Sequence, residues 1–278
     1  MAGVWTNLVS YTFDFPSAVT YNVSVKEGRS VELKLIVDTH MHTIASGHAF
    51  STILEMVAAA AEKGLEMIAI TEHGPAMEGA PVPMYFSALS LLPEKIYGVR
   101  VLRGIEANII DYDGNVDMPN KALERLDFVM AGFHDVVLPP CGNVAANTRA
   151  MIAALANPMI DAISHPGNPV FQVDIESVTA AAKEYGKLLE INNNSPNVRA
   201  GSQRNCHSIA AACRDLKIPV ICGSDAHFSF DAGVFTNALK ILESVDFPEK
   251  LVLNTSPKKL TRHLESIRKR SFTKKKKR

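Results

Sequence analysis

The sequence is poor in the features that mark several large classes of protein. Its four cysteines include no C-x-x-C pair, and four thiols in 278 residues are too few for a disulfide framework. No apolar run approaches the roughly 18 to 20 residues that span a bilayer. Residues 1–10 lack the basic segment and long apolar core of a secretory signal. These absences predict a cytoplasmic protein with reduced thiols and no membrane partner.

The chain also has no excess of charge of either sign. Its 29 basic and 29 acidic residues balance, so no global field attracts nucleic acid or an anionic surface, and a nucleic-acid partner is not expected. The sequence contains no P-loop, no G-x-G-x-x-G, no G-x-S-x-G and no H-E-x-x-H motif. Nucleotide-switch, dehydrogenase and serine-hydrolase functions are therefore disfavoured.

What the chain does have is a repeated alternation of short apolar runs with amphipathic segments. The runs, rich in Val, Ile, Leu and Ala, predict parallel strands covered on both faces at 33–38, 67–71, 100–107, 127–133, 159–164, 188–192 and 220–224. Helices are predicted between most of them, at 51–63, 146–157, 175–185 and 203–216. Seven such repeats indicate an α/β fold, a closed or nearly closed β/α barrel, with an open doubly wound sheet as the alternative.

The two ends of the chain do not fit this repeat. Residues 1–32 form an N-terminal extension, predicted to be either an added hairpin or disordered, and the barrel domain is predicted to span 33–266. A last helix is predicted at 257–267. Beyond it, eight of the eleven residues 268–278 are Lys or Arg. We expect residues 267–278 to be a disordered basic tail, because such charge runs usually stay solvated; an anchor for nucleic acid or acidic lipid is the alternative.

The histidines are concentrated where a barrel builds its active site. Seven of the nine lie at the carboxyl end of a predicted strand or in the loop that follows it. Each of these loops projects into one shared space at the rim of the barrel. His40 and His42 are two residues apart on an extended chain, so both imidazoles can reach one ion, and Asp225 and His227 repeat that spacing.

Nine side chains thus become candidate metal ligands. They are His40, His42, His48, His73, Glu106, His134, His165, Asp225 and His227. A single metal ion needs only about three or four protein ligands, so nine predict more than one ion. Nitrogen and oxygen ligands without thiolate suit Zn, Mn, Fe or Co, and they disfavour a calcium site or an iron–sulfur cluster.

The segments that carry these residues resemble the PHP (polymerase and histidinol phosphatase) superfamily and, within it, the YcdX-type phosphatases. The matching segments are His40-Met-His42, Thr71-Glu-His73-Gly-Pro75, Gly104-Ile-Glu106-Ala-Asn108, Gly132-Phe-His134, Ser164-His165-Pro-Gly-Asn-Pro169, Glu190-Ile-Asn-Asn193 and Gly223-Ser-Asp225-Ala-His227. The resemblance extends from about Val37 to Leu264. One departure is Glu72, which stands where the family usually carries Asp.

The resemblance implies a distorted (β/α)7 barrel with a trinuclear metal site at the carboxyl rim of the strands, zinc being the first choice of metal. It assigns His40, His42, Glu106 and Asp225 to the first ion. Glu106 would bridge to a second ion held with His134 and His165. The third ion would be held by His48, His73 and His227.

Such a site predicts a phosphatase that acts on a small phosphorylated substrate. Close divalent ions neutralise phosphoryl oxygens and lower the pKa of a bridging water, so we expect a metal-bridging hydroxide to attack the phosphorus of a monoester. Glu106 and Asp225 are the residues whose loss should abolish activity. Arg199, in the loop after the sixth strand, could clamp the phosphate with two hydrogen bonds.

Three other functions remain open at this stage. A Mn-dependent nuclease or phosphodiesterase could use the same scaffold, and the basic tail favours it mildly. Amidohydrolase-type cleavage of a C–N bond also uses His-x-His on a barrel, but it usually needs a carboxylated Lys or a His where Glu106 and His134 stand. A non-enzymatic metal-binding module is the third. A homo-oligomer is also left open.

Overall fold

The computed structural model describes the backbone of residues 33–275 and the side chains of residues 33–269. The hairpin or disorder predicted for residues 1–32 lies outside the described residues, as does the end of the basic tail, 276–278. The domain boundary at residue 33 therefore stays a prediction. No helix within the described part of the chain is long and apolar enough to cross a membrane.

The predicted (β/α)7 barrel is confirmed. Seven parallel strands run in the order β1-β2-β4-β5-β6-β7-β8, and the short β3 pairs antiparallel with β4. The strands are β1 (Val37–Asp38), β2 (Met67–Ile70), β3 (Lys95–Ile96), β4 (Val99–Asn108), β5 (Phe128–Gly132), β6 (Ala162–Ile163), β7 (Leu188–Asn192) and β8 (Val220–Gly223). The seven parallel strands fall on the seven apolar runs, whereas β3 has no counterpart among the predictions.

The helices occupy the intervals between the strands. They are α1 (Ile53–Glu62), α2 (Pro83–Ala88), α3 (Asn120–Leu123), α4 (Val144–Ala156), α5 (Ile175–Tyr185), α6 (Ser195–Val198), α7 (Ser202–Leu216), α8 (Thr236–Ser244) and α9 (Pro257–Lys275). Local sequence explains several ends: Thr52 and Glu55 form a capping box on α1. Gly186 ends α5 in the left-handed conformation, which glycine adopts without strain. The short α2, α3 and α6, and α8, were not predicted.

Alternation along the strands sorts the side chains into two cores. In β2, Met67 and Ala69 belong to the smaller core inside the barrel, while Ile68 and Ile70 belong to the larger core shared with the outer helices. All four are fully buried. A strand covered on both faces needs apolar residues on both, which is why these strands read as continuous apolar runs.

The barrel closes between β8 and β1 through hydrogen bonds beyond the strand ladder. The Asp225 amide donates to the His40 carbonyl at 2.9 Å. The buried side chain of Asn254 also lies between β1 and β8. Its Nδ2 donates to the backbone carbonyls of Val37 at 2.9 Å and Cys222 at 2.7 Å, and its Oδ1 accepts the backbone N–H of Cys222. A single side chain thereby satisfies backbone groups that a continuous ladder would pair. It also keeps the first and last strand ends adjacent.

Helix α9 covers the amino-terminal end of the barrel and corrects one prediction. It continues to Lys275 instead of ending at Ile267, so residues 267–275 are helical where disorder was expected. Its inner side contributes buried Leu260, Leu264 and Ile267 to the core inside the barrel. The Arg268 guanidinium also donates to the buried Asp161 carboxylate at 3.0 Å. Tertiary packing and the good helix propensity of Lys and Arg outweigh the tendency of a charge run to stay solvated.

Candidate metal centre

The nine predicted ligands form one contiguous cluster at the carboxyl ends of the strands. Seven of them are buried, namely His40, His42, His73, Glu106, His134, His165 and Asp225. His227 is half-buried, and His48, at the outer edge, is exposed. Residues from six strand ends or their loops therefore meet in one place, as the fold predicts for βα loops.

Glu106, near the end of β4, lies at the centre of this cluster. Its carboxylate oxygens lie 2.7–3.4 Å from a ring nitrogen of each of His40, His42, His73, His134 and His165. The carboxylate is fully buried. One group that touches five imidazoles is suited to bridge ions held by different histidines.

Asp225 lies beside the paired histidines of the first strand. Its Oδ1 is 3.5 Å from Nε2 of both His40 and His42. Its Oδ2 accepts hydrogen bonds from Arg199 and Asn192, each at 3.2 Å. Asp225 holds φ at +56°, in the left-handed region that is uncommon for a residue other than glycine. The surrounding contacts hold this strained backbone so that the carboxylate faces the histidines.

The outer part of the cluster brings four imidazoles close together. Nε2 of His227 lies 3.2 Å from Nε2 of His48. The rings of His42 and His73 stack with their centroids 4.1 Å apart. Imidazole nitrogens this close to one another are an arrangement that a shared cation stabilises.

The hydrogen bonding of the cluster fits a metal centre. Five buried polar atoms of the cluster have no hydrogen-bond partner within the described residues: Nδ1 of His73, both carboxylate oxygens of Glu106, and Nε2 of His134 and His165. A buried polar atom left unpaired costs about 1–3 kcal/mol. Because these atoms face one another at short range, divalent cations among them would satisfy all five at once.

Three groups of side chains bring ligand atoms within 4.8 Å of one another. They are His40 with His42 and Asp225; His73 with Glu106 and His134; and His42 with His73 and His227. The first contains three of the four residues that the resemblance implies for the first ion. The other two groups divide the remaining histidines differently from the implied sets, so the partition among ions stays a prediction.

Hydrogen bonds behind the ligands orient their rings. Nδ1 of His40 lies 2.7 Å from Glu190, and Nδ1 of His134 lies 2.7 Å from the amide oxygen of Asn108. The Asn108 amide nitrogen donates to Asp117, which leaves its oxygen toward His134. Since carboxylate and amide oxygens can only accept here, each Nδ1 carries a proton, and in the neutral ring Nε2 has the lone pair that a metal ion would bind.

Neither Glu190 nor Asn108 was predicted to have a role, although both lie in the segments that carry the family resemblance. The available signal is their position: a polar residue facing inward near the end of a strand must find a polar partner. Which histidine each residue meets depends on the pairing of different strands. That pairing is visible only in the folded chain.

Two glycines leave room for the cluster. A Cβ on Gly132 would lie 2.1 Å from the Ser164 hydroxyl oxygen, and a Cβ on Gly223 would lie 2.1 Å from a carboxylate oxygen of Glu190. Neither distance is compatible with any side chain. Glycine is therefore required at these two positions, because site groups occupy the space that a methyl group would need.

The charges within the cluster shift the pKa values of its members strongly. Burial raises the pKa of Glu106, but His40, His134 and His165 outweigh it and hold the pKa well below the ordinary value. Burial and the neighbouring His73 hold the pKa of His42 well below its ordinary value. An ionised carboxylate beside a neutral imidazole is the state that binds a metal ion.

A cavity of about 810 Å³ opens directly onto the cluster. His73, His134 and Asp225 contribute to its lining, and Arg199 lies beside them. The lining also includes apolar Met77, Val136, Val198 and Val234, and the acidic Glu78, Asp135 and Asp231. The space is large enough for a small organic molecule in contact with the ligands.

A parallel barrel with a His, Glu and Asp cluster at its carboxyl rim defines a metal-binding β/α-barrel protein. The PHP domain family matches residues 38–194, and the chain belongs to that family. It is 51% identical over 238 residues to a probable phosphatase of Acetivibrio thermocellus, covering 86% of this chain and 98% of the relative. A probable phosphatase of Caldanaerobacter subterraneus is 50% identical, covering 86% and 95%.

A solved structure supports the same fold. The histidinol phosphate phosphatase of Lactococcus lactis, crystallised with zinc, L-histidinol and phosphate, superposes with a TM-score of 0.56. The match covers 76% of this chain and 94% of that protein, at 15% sequence identity. At this identity the likeness concerns the barrel and not the substrate.

Proposed function

We propose that the protein is a metal-dependent phosphatase that hydrolyses phosphate monoesters of small molecules. The observation that carries the proposal is the buried Glu106 carboxylate, which contacts five imidazoles beside a cavity lined by His73, His134 and Asp225. Both oxygens of this carboxylate and the facing nitrogens of His73, His134 and His165 lack hydrogen-bond partners in the described part of the chain. Membership of the PHP family and the identity of about half with proteins named probable phosphatase support the same activity.

The proposed centre uses all nine predicted ligands and holds three divalent ions. We propose zinc as the first choice, because the set contains seven imidazoles and two carboxylates; Mn, Fe or Co are the alternatives. The partition follows the family: His40, His42, Glu106 and Asp225 for the first ion, Glu106, His134 and His165 for the second, and His48, His73 and His227 for the third. When bound, such ions would neutralise phosphoryl oxygens and lower the pKa of a water that attacks the phosphorus.

The protein's own residues supply orientation and charge. Glu190 and Asn108 hold the rings of His40 and His134 with their lone pairs toward the site. Arg199, beside Asp225 and on the cavity wall, is in place to donate two hydrogen bonds to phosphate oxygens. The apolar Val136 and Val198 give the organic part of the substrate a surface to pack against.

The lining of the cavity favours a small monoester over a nucleic acid. Glu78, Asp135 and Asp231 are exposed acidic side chains in the cavity lining, whereas Arg199 is the basic residue among the lining residues. A polyanionic strand would be repelled by such a lining, while a single phosphate can still reach the ligands. The phosphodiesterase alternative has no comparable support.

We expect Arg199→Lys to raise KM for a phosphate monoester. A charge-assisted hydrogen bond is worth about 1.5–3 kcal/mol. Loss of the bidentate contact with phosphate should therefore raise KM roughly 10- to 100-fold. The measurement is steady-state hydrolysis with zinc restored. Arg204→Lys, an exposed basic residue on α7, is the matched control and should keep the parent KM. An unchanged KM in Arg199→Lys would remove Arg199 from substrate binding.

The direct test of the function is p-nitrophenyl phosphate hydrolysis by metal-stripped protein to which Zn, Mn or Co is restored. We expect metal-dependent turnover that is lost in Asp225→Ala. Turnover of bis(p-nitrophenyl) phosphate in place of the monoester would move the function to a phosphodiesterase. No turnover of either ester in spite of measured metal uptake would favour a binding module. The YcdX-type assignment, the cytoplasmic location and a homo-oligomer stay predictions.

A further inference from the structure

Glu72, next to the ligand His73, is the centre of a second buried network. Its Oε2 accepts the Thr43 amide at 3.0 Å and the Ser46 hydroxyl at 2.6 Å. Its Oε1 accepts the Thr43 hydroxyl and, at 3.3 Å, the Tyr85 hydroxyl. The side chain is completely buried and does not touch the cavity. Its carboxylate therefore acts on the metal centre only through the groups that it binds.

Ser46 links this network to the metal centre. Its hydroxyl oxygen lies 3.2 Å from Nδ1 of His42 and accepts the backbone amide of His73 at 3.1 Å. A hydroxyl has one hydrogen to donate. If that hydrogen is committed to Glu72, the contact with His42 can only be one in which His42 donates.

The direction of the Ser46–Glu72 bond follows from the backbone. The Thr43 amide is an obligatory donor, so Oε2 of Glu72 must be an acceptor whatever the protonation of the other oxygen. The Ser46 hydroxyl, 2.6 Å from the same Oε2, donates to it, in keeping with a carboxylate that also accepts the hydroxyls of Thr43 and Tyr85. The proton on the His42 ring is consequently placed on Nδ1. Nε2 is left with its lone pair beside Asp225 and Glu106.

We infer that Glu72 is a positioning residue that sets the ring tautomer of His42 through the Ser46 hydroxyl and so prepares Nε2 as a metal ligand. The inference rests on the proposed metal centre. His42 has no direct carboxylate or amide acceptor on Nδ1 of the kind that His40 and His134 have. The Ser46 hydroxyl serves in its place, and Glu72 gives that hydroxyl its direction.

The test compares two substitutions at Glu72 by zinc affinity. Glu72→Met removes both acceptor oxygens, so Ser46 is free to donate to His42 and shift the ring proton to Nε2. We expect zinc affinity, measured by competition with a chromophoric chelator, to fall about 10- to 100-fold. Glu72→Gln can keep an amide oxygen in the place of Oε2, with its nitrogen toward the Thr43 and Tyr85 hydroxyls. We expect this variant to retain affinity within about threefold.

Tyr85→Phe is the matched control, because it removes one hydrogen bond to the other oxygen of the same carboxylate. It should bind zinc like the parent chain. In histidine-labelled protein, ¹⁵N spectra should show the proton of His42 on Nδ1 in the parent chain and in Glu72→Gln. Equal zinc affinity of Glu72→Met and the parent, equal losses in the Met and Gln variants, or a proton on Nε2 in the parent would each overturn the inference.

Ser46→Ala covers the case in which Glu72→Met does not fold, which circular dichroism detects. It deletes the linking hydroxyl and leaves the carboxylate in place, and we expect a similar loss of zinc affinity. Parent-like affinity in Ser46→Ala would overturn the inference. Zinc affinity and ring tautomer are measured without any substrate. A failure here is therefore distinct from a failure of the phosphatase proposal.

Discussion

Replacing Glu106 with glutamine is expected to abolish phosphate-monoester turnover, with a loss of at least about 1,000-fold. The carboxylate contacts five imidazoles and is fully buried. A neutral amide offers one acceptor oxygen where the site needs two. Its NH2 group would place hydrogens where the second carboxylate oxygen would bind a metal ion. Losing several kcal/mol of charge stabilisation in the transition state corresponds to a rate loss of this size.

The measurement combines p-nitrophenyl phosphate turnover with the metal content of the purified variant. Glu184→Gln, the same substitution at an exposed position on α5, is the matched control and should keep both. We expect Glu106→Gln to remain folded by circular dichroism, because the apolar cores on both sides of the strands are untouched. A variant with full turnover and unchanged metal content would show that Glu106 is not a ligand.

Removal of the metal ions is expected to lower thermal stability as well as activity. An ion that binds only the native state adds about 4 kcal/mol to the free energy of unfolding at a free concentration 1,000 times Kd. In a domain of this size each kcal/mol corresponds to roughly 2–4 °C in Tm. We therefore expect stripping with a chelator to lower Tm by about 8–16 °C, and zinc to restore it.

The physical reason lies in the five unpaired polar atoms at the centre of the cluster. Without cations, their desolvation is not offset, and neighbouring imidazoles cannot all find an acceptor. The readout is differential scanning fluorimetry at a fixed pH, with bound metal measured in parallel. Glu106→Gln should show a smaller response to zinc than the parent chain. An unchanged Tm after verified metal removal would count against a centre that contributes to folding.

Much of the scaffold was predictable because burial on both faces leaves a direct mark on composition. The runs that became β2 and β5 are apolar over nearly their whole length, and all of the residues in these two strands are buried. The end of α9 was not predictable in the same way. Its continuation to Lys275 is accompanied by packing of Ile267 and by the bond from Arg268 to Asp161, a residue more than a hundred positions away.

The sequence alone determined two things about this protein. One is the alternation that specifies a parallel barrel, and the other is the set of His, Glu and Asp residues at its strand ends. Both follow from local spacing, since the carboxyl ends of parallel strands meet at one edge. Only the tertiary structure decided which atoms face one another: Glu190 behind His40, Asn108 behind His134, and Ser46 with Glu72 behind His42. These partners come mostly from different strands and loops. Hydrogen-bond direction depends on distances of a few tenths of an ångström, which strand pairing sets and residue spacing does not encode.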